Sequence, residues 1–135
     1  MVDRIRAQGG DRGQDMVGDD LVHVDLTVPN VLFDARERIS GVVDWNYGVA
    51  LGDRWFGVVK LLHNLSFDAA TGGGASRPTR QALARVETVL RSRLAPEVLR
   101  RYWAHQTLNM LYGSLRWGTE RAFTAHLELG ESRLS

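Results

Sequence analysis

The chain has 135 residues, 44% of them hydrophobic and 24% charged, which suits one domain with its own core. A formal net charge of +1 gives no field for nucleic acid or an anionic membrane, and the lack of Cys excludes disulfides and thiolate metal sites. No apolar run is long enough to span a bilayer and the polar N-terminus lacks the apolar centre of a signal peptide, so a cytoplasmic protein is expected.

In chain order, residues 1–20 are charged and Gly-rich with little periodicity, and are expected to be a flexible or frayed lead-in. From Leu21 to Trp45 the pattern is β. Val31-Leu32-Phe33 and Ile39 to Val43 are short β-rich runs joined by the polar "DARER", which predicts a hairpin. "NYGVALG" reads as a loop. Asp53 can then cap a helix through "RWFGVVKLLHNL" by accepting from free N–H groups of its first turn.

"FDAATGGGAS" reads as a Gly-rich break, and without the Lys and preceding strand of a P-loop its "TGGGAS" is a linker. Ser76 and Pro78 suit a helix start, and Leu83, Val86, Leu90 and Leu94 recur at helical spacing up to Pro96. A second long helix is predicted from about Pro96 to Trp117, stopped at Gly118, and a last one from about Thr119 to Leu129. The class is therefore α+β, a small β region followed by helices. The expected organisation is the lead-in 1–20 and a lobe 21–135, in which 21–53 carries the loops and 53–135 is helical.

Polar residues interrupt the β region where they would cost free energy unless paired or used. His23, Asp25 and Asn30 form H-x-D-x-x-x-x-N, and Asp44 closes the hairpin. Phosphoryl transfer needs such a set: one carboxylate to orient a hydroxyl and take its proton, an Asn and a second carboxylate to hold Mg²⁺. Hard oxygen donors suit Mg²⁺, whereas Zn²⁺ would want more His or Cys. Antiparallel pairing returns Asn30 and Asp44 to the same end of the hairpin.

With "HVDLTVPN", "GVVDW" and "LGDRWF" in that order, residues 21 to about 62 resemble the aminoglycoside phosphotransferase family, a branch of the protein-kinase-like fold. The resemblance implies a C-terminal lobe of that fold, with a short hairpin carrying the catalytic and metal loops packed on several helices. It implies an enzyme that moves phosphate from ATP, with Mg²⁺, to a hydroxyl of a small molecule. By resemblance Asp25 is the catalytic base, Asn30 and Asp44 are the Mg²⁺ ligands, His23 braces the catalytic loop, and Asp53 helps fix the segment after the metal ligand. Family members act on aminoglycosides, choline, homoserine and other metabolites, so the acceptor stays open. Two positions depart from the family: Val24, often Gly in relatives, and Gly57, where relatives carry an Asp that ties the following helix to the catalytic loop.

Only twenty-two residues precede His23, too few for the small β-lobe whose Lys grips the phosphates. The sole Lys, Lys60, lies after the metal ligand, on the wrong side of the catalytic loop for that role, and the sixteen Arg do not replace a compact ammonium. The expectation is a C-terminal lobe alone. The alternative function is an N-terminally truncated, inactive lobe acting, if at all, through a partner, with a missing N-lobe encoded separately.

Asp25 and Asn30 can cap turns, and His23 reads as a structural His. A metal hydrolase built on His23, Asp25 and Asp44 is a minor alternative, because His63, His105 and His126 show no paired ligand spacing. Leu99, Tyr102, Trp103, Met110 and Leu111 read as core. Arg91, Arg93, Arg100 and Arg101 read as a solvated face. Glu87, Glu97, Glu120 and Glu128 have no spacing that singles out a cationic ligand.

Overall fold

The computed structural model describes residues 1–8, 18–45, 49–72 and 76–135. Their architecture is α+β, two small antiparallel sheets beside a group of helices. In chain order they are α1 (Val2–Gln8), β1 (Asp20–His23), a 3₁₀ turn (Val28–Asn30), β2 (Val31–Phe33), β3 (Ile39–Val42), β4 (Val49–Gly52), α2 (Trp55–Thr71), α3 (Arg77–Arg93), α4 (Pro96–Trp117) and α5 (Glu120–Leu134).

The predicted hairpin is present, with Val31 opposite Val42 and a bulge between Leu32 and Phe33. Asp34 closes its turn. One carboxylate oxygen accepts from the Arg36 and Arg38 amides at 2.8 and 2.9 Å, while the other takes the Arg38 guanidinium. "VALG" is a strand, where a loop was expected. β4 pairs antiparallel with β1, Leu21 against Leu51 and His23 against Val49, so the hairpin is nested inside a second pair. Four residues carry too little periodicity to reveal a strand whose partner lies across an intervening hairpin. The nesting matters for the site: residues 24–30 lead from β1 into the hairpin, and residues 43–45 leave it after β3.

The helices begin and end for local reasons. Asp53 caps α2: its Oδ1 accepts from the Trp55 amide at 2.9 Å and its carbonyl from the Phe56 amide at 3.0 Å. Ser76 Oγ accepts from the Thr79 amide and Thr119 Oγ1 from the Ala122 amide, each at 3.2 Å, starting α3 and α5. α2 runs on through Phe67–Thr71, part of the stretch expected as a break, and residues 73–75 of that stretch lie outside the described residues. α5 reaches Leu134 rather than Leu129, because Gly130 and Leu134 continue its buried face.

Residues 2–8 form a helix where an irregular lead-in was expected, and Met1 and Ile5 pack against the core. Residues 9–17 of that lead-in lie outside the described residues. The core joins Val59 and Leu62 of α2, Leu90 of α3, Leu99, Tyr102, Trp103 and Ala104 of α4, and Leu134 of α5. The aromatic stripe read as core on α4 is buried as expected, and Leu111 is buried with it, while Met110 is half-buried. No helix among the described residues is long and apolar enough to cross a membrane.

Candidate active site

His23, the last residue of β1, is buried, and its Nε2 lies 2.9 Å from the Val43 carbonyl. A carbonyl only accepts, so Nε2 donates its N–H to it, and the buried Nδ1 has no hydrogen-bond partner among the described residues. The imidazole also packs on Trp45, ring centroids 4.7 Å apart. The Val43 amide donates to the Asn30 carbonyl at 2.9 Å, and Asn30 Nδ2 donates to the Asp25 carbonyl at 3.1 Å. The first two bonds stitch the end of β1 and the connection after it to Val43, and the third ties Asn30 back to Asp25 within that same connection.

Asp44 follows Val43 directly and has φ 62°, the left-handed region that costs an ordinary L-residue about 1 kcal/mol or more. Asp25, Asn30 and Asp44 thus sit on two adjacent connections at one end of the hairpin. Asp53 is placed elsewhere. Besides capping α2, its Oδ2 accepts from the Tyr102 hydroxyl at 2.6 Å, linking the start of α2 to α4. Burial and this carboxylate push the Tyr102 phenol well above its usual range.

The structure adds a residue that the sequence reading set aside. Lys60 Nζ lies 3.2 Å from Asp25 Oδ1, its side chain only 5% exposed against 48% for Asp25. Its other contact is Met110 Sδ at 3.1 Å. Gly57, one turn earlier on α2, allows the approach, since a Cβ there would stand 3.1 Å from the His23 carbonyl oxygen. The signal was a lone lysine inside "GVVKLL", a setting where an ammonium needs a counter-ion.

A metal is tested by the donors present. Asn30 commits its NH₂ to the Asp25 carbonyl, and its Oδ1 has no protein donor among the described residues. That amide oxygen and the Asp44 carboxylate are hard donors of the kind Mg²⁺ takes. Among the described residues no three His, Asp or Glu side chains gather to hold a metal, which gives the hydrolase alternative no support.

Deeper in the helical part, His63 Nε2 meets His126 Nδ1 at 3.1 Å, and the His126 ring stacks on Phe67. Burial, then the neighbouring His126, Lys60 and Arg133, lowers His63 to about 3, while burial and Lys60 lower His126 to about 4. Both are neutral near pH 7. Of the four glutamates whose spacing singles out no cationic ligand, Glu87 is taken by Arg91 and Arg133, both at 2.8 Å. Glu120 and Glu128 line a 470 Å³ cleft with Ala70 and Thr71, roughly 15 Å along α2 from Lys60 at 1.5 Å per residue. Nearer the connection after β1, a 220 Å³ cleft is walled by Val22, Val24, Leu51, Phe56 and His105.

The comparisons with known proteins can now be placed on this geometry. The model of the phosphotransferase enzyme family matches residues 20–102, from the first residue of β1 into α4. The chain belongs to that family. The matched span holds His23, Asp25, Asn30, Asp44, Asp53, Lys60 and Tyr102. No curated protein and no solved structure gives a significant match. For a phosphotransferase, the two stitched connections are the segment where transfer chemistry would be sought.

Proposed function

We propose that this phosphotransferase carries phosphate from ATP to a hydroxyl of a small molecule, with Mg²⁺, using a lobe of the protein-kinase-like fold. The observation that carries the reading is the gathering of Asp25, Asn30 and Asp44 on connections held together by His23 and Asn30. Asp25 orients the acceptor hydroxyl and takes its proton as the new O–P bond forms and the bond to the leaving ADP oxygen breaks. Asn30 Oδ1 and the Asp44 carboxylate would hold the cation. Mg²⁺ bound there would neutralise charge on the nucleotide phosphates. His23 braces the two connections, and Asp53 sets the start of α2 against α4.

One observation favours the second reading, a lobe that works only with a partner. Leu21, Val49 and Leu51 on one sheet and Leu32, Phe33 and Ile39 on the other are exposed, with Leu51 at 77% and Ile39 at 68%. Such faces suit a covering surface.

Calorimetric titration of the chain with ATP, with and without Mg²⁺, tests the proposal. Saturable Mg²⁺-dependent binding that disappears in Asp44→Ala supports it. No binding by a folded chain favours the partner-dependent lobe, and binding indifferent to Mg²⁺ or to Asp44 removes the metal assignment.

A further inference from the structure

We propose that Lys60 is a positioning residue for Asp25, an anchored cation that selects one rotamer of the carboxylate and presents its second oxygen outward. The inference rests on the reading of Asp25 as the proton acceptor, and it comes from an asymmetry in the ion pair. In an ordinary surface pair both side chains move, and the geometry is loose. Here the ammonium is buried and the carboxylate is half exposed. A buried cation cannot wander, because every other position costs desolvation without a counter-charge.

Among the described residues, Asp25 is the one carboxylate in an ion pair with the ammonium. The ammonium meets Asp25 Oδ1 and the thioether of Met110, a weak acceptor without charge. The titratable groups that feel its charge in the core, His63 and His126, are kept neutral by burial and by that charge itself. Lys60 therefore has a single place to direct its charge, and the pair's geometry is set from the helix side.

Asp25 is then held at two points. Asn30 Nδ2 fixes its main-chain carbonyl at 3.1 Å, and Lys60 Nζ fixes Oδ1 at 3.2 Å. With Oδ1 occupied, Oδ2 is the oxygen left to meet a hydroxyl. The reach depends on α2 lying close to the end of β1, which Gly57 allows by presenting no Cβ to the His23 carbonyl. Lys60 sits one turn further along the same face and meets the next part of the loop. The carboxylate's aim is thus coupled to the position of a core helix, not to the loop alone. Preorganising a reacting group in this way avoids ordering it at the moment of reaction.

Because Lys60 is the only lysine, ¹⁵N-lysine labelling places a single Nζ in the spectrum of the full chain. The Nζ signal is expected to be protected from exchange in the native chain and to shift or vanish in Asp25→Asn. Three-bond couplings at Asp25 are expected to give one χ1 rotamer in the native chain, averaging in Lys60→Met, and recovery of one rotamer in Lys60→Arg. A free-lysine Nζ signal unmoved by Asp25→Asn, or a single Asp25 rotamer in folded Lys60→Met, overturns the proposal. If Lys60→Met does not fold, the Asp25→Asn spectrum decides alone. These readouts need no nucleotide, so loss of the phosphotransferase reading would appear separately, as native chain that does not bind Mg²⁺-ATP.

Discussion

Lowering the pH from 7.5 to 5.5 is expected to cost this protein about 3 kcal/mol of stability through two buried imidazoles. His63 is completely buried and His126 nearly so, and their folded values of about 3 and about 4 lie well below the ordinary 6.5. The unfolded chain thus binds protons that the folded chain refuses. Stability is full above about pH 6.5 and falls as the pH drops through the window toward the folded values. One unit below 6.5, each group costs close to 1.4 kcal/mol, and the two together about 3 kcal/mol. The result at pH 5.5 is insensitive to the exact folded values, since both lie more than a unit lower. Burial lowers His105 too, which adds in the same direction. Glu87, where two Arg partners outweigh the burial that opposes them, titrates below its ordinary 4.5 and so outside this window. Urea unfolding followed by Trp fluorescence at the two pH values measures the loss, and His126→Phe should remove roughly half of it. Equal midpoints at both pH values, or a loss unchanged in the variant, would refute the argument.

Four further outcomes are expected. Lys60→Met should leave stability unchanged or raise it by about 1 kcal/mol, because a buried ammonium is replaced by an apolar chain of similar reach. Asp25→Asn should lower it by about 1–2 kcal/mol, a discounted figure for a half-exposed partner, and both read out in urea midpoints. Gly130→Ala should cost about 1–3 kcal/mol in the same assay, since the new Cβ meets the β-branched side chain of buried Thr107 where α4 and α5 cross. Asp44→Gly should raise stability by about 0.5–1 kcal/mol by relieving the positive φ, while Mg²⁺-dependent ATP binding measured by calorimetry is lost.

The parts legible in the sequence were those with a local cause. Ser76, Pro78, Pro96 and Gly118 bound helices by chemistry within one turn of themselves, and the hairpin announced itself through β-rich runs around a polar turn. That Asn30 and Asp44 flank one end of the hairpin was legible because the pairing of β2 with β3 turns sequence order into neighbouring strand ends. What escaped depends on partners distant in sequence. β4 is a strand because β1 is there to pair with it. His63 and His126 share no ligand spacing, yet α2 and α5 bring their rings to 3.1 Å. Lys60 looked misplaced for gripping phosphate, and only the packing of α2 beneath the loop gives it Asp25.

Titrating Mn²⁺, a paramagnetic stand-in for Mg²⁺, into the ¹⁵N-labelled chain tests the central claim most directly. The account predicts amide broadening centred on Asn30 and Asp44, reaching Asp25, and abolished by Asp44→Ala. Broadening centred instead on the Glu120–Glu128 cleft, or unchanged in that variant, would contradict it.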